Sequence, residues 1–208
     1  LYMSETNAKP IILYDYQNTR SSSCPKAFLG EYSGYLQTDG YSGYNSVSEA
    51  TRLYCLAHIR RKFYEIVENL DKEALKKSRG VIGFNYCEQI YKLEKELRET
   101  YSSNEDYYDI RFNIRKEKLE PILDNFIEDV EAEIKNALPR SPLGKALDYA
   151  KKHLPGLKNV LLDGSLEIYL VYLFDNLLNI DSDNSEALEN LMPWANNLPD
   201  NLKIKIKK

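Results

Sequence analysis

Ile11-Ile12-Leu13-Tyr14-Asp15-Tyr16 form an apolar and aromatic run behind Pro10, the pattern of a well-buried strand. A polar stretch over residues 17–25 closes it. Residues 35–38 and 52–55 are two further strand-like runs, separated by the glycine- and tyrosine-rich segment Asp39-Gly40-Tyr41-Ser42-Gly43-Tyr44. Most of the β structure is therefore expected before residue 60.

From Ala57 the period changes. Ile59, Phe63, Ile66, Val67 and Leu70 recur at helical spacing and define one apolar face. After a break at Ser78-Arg79-Gly80, the residues Ile82, Tyr86, Ile90, Leu93 and Leu97 repeat the pattern. A third run carries Leu119, Leu123, Phe126, Ile127, Val130 and Ile134, with Pro121 marking a helix start or a kink. Residues 81–138 thus read as a helical block. Ser141-Pro142 offers a capping serine and a first-turn proline to a helix buried through Leu143, Ala146, Leu147 and Ala150, which Pro155-Gly156 is expected to end. A short helical turn at 157–162, a brief strand at 166–168, an apolar run at 169–178 and a helix opening at Ser185 complete the pattern, before the basic tail 203–208.

Composition narrows the function classes. With 208 residues, 43% of them hydrophobic and 29% charged, the chain can bury a core, and no apolar run is long enough to span a membrane. The start, Leu1-Tyr2-Met3-Ser4-Glu5, lacks signal-peptide character, so a cytoplasmic location is expected; Leu1 in place of Met points to processing or to a longer frame. Three cysteines and two histidines favour free thiols over a disulfide framework or a structural zinc site. A net charge of -4 confines any DNA contact to a local surface.

Three features carry candidate chemistry, each with two readings. Asp39 follows the 35–38 run, where open sheets place ligand-binding groups, yet Asp-Gly is also a common turn pair. Cys55 and His58 form a C-x-x-H pair able to offer two ligands to a metal, or are a buried thiol and a histidine at a helix start. Arg60, Arg61 and Lys62 are candidate DNA-phosphate contacts, or partners of the acidic residues that follow. The seventeen tyrosines can stack on bases or fill core and interface. No phosphate-cradling glycine loop, serine nucleophile elbow or zinc helix is present in the sequence.

Taken together, Tyr35-Leu36-Gln37-Thr38-Asp39-Gly40-Tyr41-Ser42-Gly43-Tyr44-Asn45, Cys55-Leu56-Ala57-His58-Ile59-Arg60-Arg61-Lys62-Phe63 and Ser141-Pro142-Leu143-Gly144-Lys145-Ala146 closely resemble the central region of insertion-sequence-66 family transposases, in order and rough spacing. Pro25-Lys26-Ala27-Phe28-Leu29 and Asp163-Gly164-Ser165-Leu166-Glu167-Ile168 extend the resemblance over most of the chain up to Ile168. It implies a ribonuclease-H-like catalytic domain of the DDE class, in which three carboxylates hold two divalent ions, usually Mg2+, for DNA strand cleavage and transfer. Ions roughly 3.5–4 Å apart activate the attacking oxygen and stabilise the leaving one, and hard cations require carboxylate oxygens.

Residue by residue, the resemblance makes Asp39 the family's second catalytic aspartate and a metal ligand, with Cys55 and His58 as its site-supporting C-x-x-H signature. The family's first aspartate lies upstream of the segment that residues 1–16 resemble. Its glutamate belongs to an Asn-Asn-x-x-Glu-Arg-Ala segment after the Leu-Glu-Ile stretch. Here Tyr169-Leu170-Val171-Tyr172-Leu173-Phe174 follows instead and resembles the family's extreme carboxyl end, as does Glu186-Ala187-Leu188-Glu189-Asn190-Leu191-Met192-Pro193-Trp194. Glu167 aligns with a non-catalytic position. The implied chain is shortened at its amino end and internally deleted after Ile168, with an incomplete metal site.

The expected fold is α+β: an incomplete ribonuclease-H-like mixed sheet with a large helical insertion and a helical carboxyl segment. Residues 1–80 form the partial ribonuclease-H-like domain, 81–138 the insertion, 139–168 the return to the domain and 169–208 the carboxyl segment. The expected function is DNA transposition in a catalytically incomplete form. The alternative is a non-catalytic DNA-binding or protein-interaction module modulating an intact transposase. Expected partners are mobile-element DNA ends and other copies of the chain or intact transposase, with no membrane. Loss of the family's first strand is expected to leave unpaired sheet edges.

Overall fold

Short apolar strands separated by polar, glycine-punctuated connections build the first part of the molecule, and amphipathic helices build the second. The computed structural model describes residues 2–4, 11–13, 16–68 and 70–166. Two compact units divide the chain, one running up to Tyr54 and the other from Cys55 onward.

In the first unit, β1 (Tyr2–Ser4) pairs antiparallel with β2 (Ile11–Leu13), Met3 opposite Ile12. The helix α1 (Ser23–Leu29) ends at Gly30, whose positive φ of 56° is open to glycine because it has no Cβ. Next comes β3 (Tyr35–Thr38), then a 3-10 turn at Ser42–Ser46 and β4 (Thr51–Tyr54). Strands β3 and β4 are parallel, in the register Tyr35↔Thr51 to Thr38↔Tyr54. Among the described residues the strands make two separate two-stranded sheets. The architecture is α+β and mostly helical.

In the second unit, α2 (Leu56–Val67) buries Leu56, Ala57, Ile59, Phe63 and Val67. Each large apolar side chain so buried contributes about 1.5–3 kcal/mol relative to exposure. The short helix α3 (Lys72–Lys77) is capped by Asp71, whose side chain accepts from the Glu73 and Ala74 N–H groups. The long helix α4 (Gly80–Tyr101) follows, then α5 (Tyr107–Ile114), a π-helical turn at Arg115–Leu119 and α6 (Glu120–Glu133). Pro121 starts α6 rather than kinking it. Lacking an N–H, it cannot donate to the preceding turn, and the Glu120 N–H reaches back five residues to the Arg115 carbonyl.

Ser141 caps α7 (Pro142–Leu157), accepting from the Gly144 N–H at 3.0 Å. Pro155 does not end this helix as its sequence suggests. It lies inside α7, which runs to Leu157 and continues as a 3-10 turn, Lys158–Leu162. So close to the end, the proline costs one backbone bond, and Lys151, four residues back, is exposed to water. Helix α2 packs on α4 and α7, and α6 on α4 and α7. Phe63, Phe126 and Tyr86 link three of these helices: the Phe63 and Phe126 rings lie 5.9 Å apart, and Phe126 stacks on Tyr86 at 4.8 Å. The expected strand at 166–168 extends beyond the described residues after Leu166, which is not in a strand; the apolar run at 169–178, the helix opening at Ser185 and the basic tail lie outside them.

Candidate functional site

Asp39 stands at the carboxyl end of β3, half-buried, where the chain turns into the 3-10 segment. Its Oδ1 accepts the Tyr41 N–H at 3.0 Å, so the carboxylate closes its own turn. The aspartate is a turn residue at the end of a parallel strand. Around it runs a guanidinium–aromatic cluster. Arg20 lies 5.2 Å over the Tyr41 ring, Tyr41 meets Tyr44 edge-on at 6.0 Å, and Arg52 lies 5.8 Å from the Tyr44 centroid and 4.6 Å from that of Tyr54. Burial, and next the Asp39 charge, push the Tyr44 phenol above its ordinary pKa, against the opposing pull of Arg52 and Arg20.

Arg52 escaped the sequence reading. It lies on β4 two residues before Tyr54, so both project from the same face of the strand. Its Nη2 donates to Thr38 Oγ1 at 2.9 Å and to the carbonyls of Asp39 and Tyr41 at 3.2 and 3.4 Å, while Nη1 donates to Asn45 Oδ1. The available signal was an arginine alternating with an aromatic residue on a strand beside a loop rich in acceptors.

Cys55 and His58 belong to the other unit. Cys55 is the buried, extended residue that precedes α2, and His58 is half-buried in the first turn of that helix. The basic triplet follows on α2. Arg60 turns toward α4, pairing with Glu88 at 2.5 Å and lying 4.8 Å over the Phe84 ring. Arg61 and Lys62 both pair with Glu65, at 3.3 and 3.6 Å, from exposed positions. Cys24, Cys55 and Cys87 form no disulfide with one another, and burial pushes the Cys87 thiol well above its ordinary pKa.

A second charged group of the helical unit was not visible in the sequence pattern. Glu94 of α4 is buried against two buried arginines: Arg115 donates to Oε1 through Nε at 2.8 Å and to Oε2 through Nη2 at 2.9 Å, and Arg111 Nη2 donates to Oε2 at 2.8 Å. The positive charge of two guanidiniums exceeds the one carboxylate. Backbone carbonyls beyond α7 offset it: Arg115 Nη1 donates to Leu166 O at 2.8 Å and Val160 O at 3.4 Å, and Arg111 Nη1 to Gly164 O at 3.4 Å. The guanidiniums thereby satisfy one carbonyl of the 3-10 turn that follows α7 and two carbonyls beyond it.

Among the described residues no three His, Cys, Asp or Glu side chains converge. A pair of divalent ions needs several carboxylate oxygens, and the residues around Asp39 offer one carboxylate beside a guanidinium. The described residues therefore do not fit a metal pair. No helix among them is long and apolar enough to cross a membrane.

The motif order that joins Asp39 to the α2 signature and the α7 cap matches a known family model, Transposase IS66 family, over residues 1–169. The chain belongs to the IS66 transposase family. Relatives include the uncharacterized proteins y4qI and y4jD of Sinorhizobium fredii (strain NBRC 101917 / NGR234), 28% and 29% identical over 170 and 171 residues. These matches cover 76% and 77% of this chain but only 29% and 31% of the relatives, so the IS66 chain spans about three-tenths of the curated proteins it matches. No solved structure matches significantly.

Proposed function

We propose that this chain is a portion of a DDE-class, ribonuclease-H-like IS66 transposase catalytic region, acting on mobile-element DNA, and that by itself it does not carry out strand cleavage or transfer. Asp39 is its one contribution to the family's three carboxylates, and Cys55 and His58 support the start of α2. The observation that carries this reading is the position of Asp39: the only aspartate in the matched Thr38-Asp39-Gly40 segment, at the end of a parallel strand, with no acidic cluster among the described residues. Phosphate contacts from the basic triplet fall first to Arg61 and Lys62, whose side chains are 62% and 41% exposed against 21% for Arg60. Two-stranded sheets present outer edges among the described residues, and this favours association with further copies of the chain or with intact transposase.

The test is a nicking and strand-transfer assay on element-end DNA with Mg2+ or Mn2+, using the full chain and Asp39→Ala. No metal-dependent product is expected from either protein. Robust product from the full chain, abolished in Asp39→Ala, contradicts the reading.

A further inference from the structure

We infer that Arg52 is the positioning residue of the Asp39 loop, a cation supplied by the chain itself that orders the loop without a metal ion. The inference deepens the proposed function and rests on it only for the role of Asp39. The loop of residues 39–50 joins two parallel strands with one short 3-10 turn, Ser42–Ser46, in place of an α-helix. The backbone bonds at the two ends of that turn are Tyr44 N–H to Tyr41 O at 3.4 Å and Val47 N–H to Tyr44 O at 3.1 Å, and the Ser46 hydroxyl donates to Gly43 O at 2.8 Å. One planar guanidinium supplies what these bonds do not. It reaches the buried Thr38 hydroxyl, the carbonyls on both sides of the Asp39 turn and the Asn45 amide, between the rings of Tyr44 and Tyr54.

The geometry needs the fork and not merely the charge. Carbonyls of Asp39 and Tyr41 and the Thr38 hydroxyl converge on Nη2, Nε also reaches the Thr38 hydroxyl, and the Asn45 oxygen is met by Nη1. A lysine ammonium is a point charge that cannot span these acceptors while stacking on two rings. With Arg52 in place, the Asp39 carboxylate is presented by a loop that is ordered before any ligand arrives.

Hydrogen exchange of the full chain tests this in wild type, Arg52→Lys and Arg52→Met, each with Mg2+ and with EDTA. The readouts are the amides of Tyr41, Tyr44 and Val47, with those of α1 and β3, in the same unit, as the control for folding. Wild-type protection is expected to be the same in Mg2+ and EDTA. Both variants are expected to exchange the loop amides at least about tenfold faster while α1 and β3 keep their protection. Wild-type protection in Arg52→Lys would reduce the residue to a charge, and loop protection that appears only with Mg2+ would assign the ordering to a metal; either result overturns the inference. Neither readout depends on nicking, so failure of the transposase reading and failure of this one are distinguishable.

Discussion

Take away the Glu94 charge, and two guanidiniums face each other in a space sealed from water, their side chains 1% and 0% exposed. Breaking a buried pair in this way costs about 3–5 kcal/mol, because the remaining charges keep their desolvation penalty. Glu94→Gln is therefore expected to lower unfolding stability by about that amount in urea denaturation followed by helical circular dichroism. A change within about 0.5 kcal/mol would remove the cluster from the account. Gly144 makes a steric prediction. A Cβ there would collide with the Leu138 carbonyl, which is why the Ser141-Pro142-Leu143-Gly144 motif has no side chain at its fourth position. Gly144→Ala is expected to cost about 1–3 kcal/mol, read by thermal melting, although alanine is the better helix former.

Pairs of helices respond to pH through the groups that tie them. Burial alone would raise the Glu94 carboxyl, but Arg115 and Arg111 outweigh it and hold it below the ordinary glutamate range. A depressed folded pKa contributes stability that is complete above the unfolded value of about 4.3 and lost as pH falls through the folded value. Wild type is expected to lose this contribution only below about pH 4, and Glu94→Gln to lack that acid-side loss. On the alkaline side, Tyr86 of α4 donates to Asp129 Oδ2 of α6 at 2.6 Å. Burial and that hydrogen bond push its phenol up to about 12. A raised folded pKa contributes stability that is present below about 10 and lost as pH rises toward about 12. The stability difference between wild type and Tyr86→Phe should shrink across that window; a constant difference contradicts the assigned bond.

These elements also show what a linear sequence exposes. The strand at 35–38, the helix after Cys55, the break before Gly80 and the Ser141 cap were legible because each is set by local periodicity or local hydrogen bonding. Helix α1 was not, since its polar Ser23-Cys24-Pro25-Lys26 start hides a single short turn pattern. In α4 the buried stripe is Gly83, Cys87, Ile90, Glu94 and Leu97, and Leu93 was read in the place that Glu94 takes. A charged residue enters a core only with partners, and those of Glu94 lie 17 and 21 positions away. Asp39 was legible through its motif, whereas Arg52 became visible only when pairing of β3 and β4 set it over the loop.

For the chain as a whole, the family match reaches residue 169 and the matched stretch is about three-tenths of the curated relatives, so the reaction of the full-length family is more than this chain is proposed to perform. The net charge of -4 agrees with a protein that does not hold DNA by charge alone. The account turns on Asp39 standing without companion carboxylates among the described residues. Mn2+ titration of the full chain and of Asp39→Ala, followed by electron paramagnetic resonance and water-proton relaxation, addresses this directly. The predicted result is no saturable binding of paired Mn2+ ions in either protein. Two ions bound per chain and lost in Asp39→Ala would contradict it.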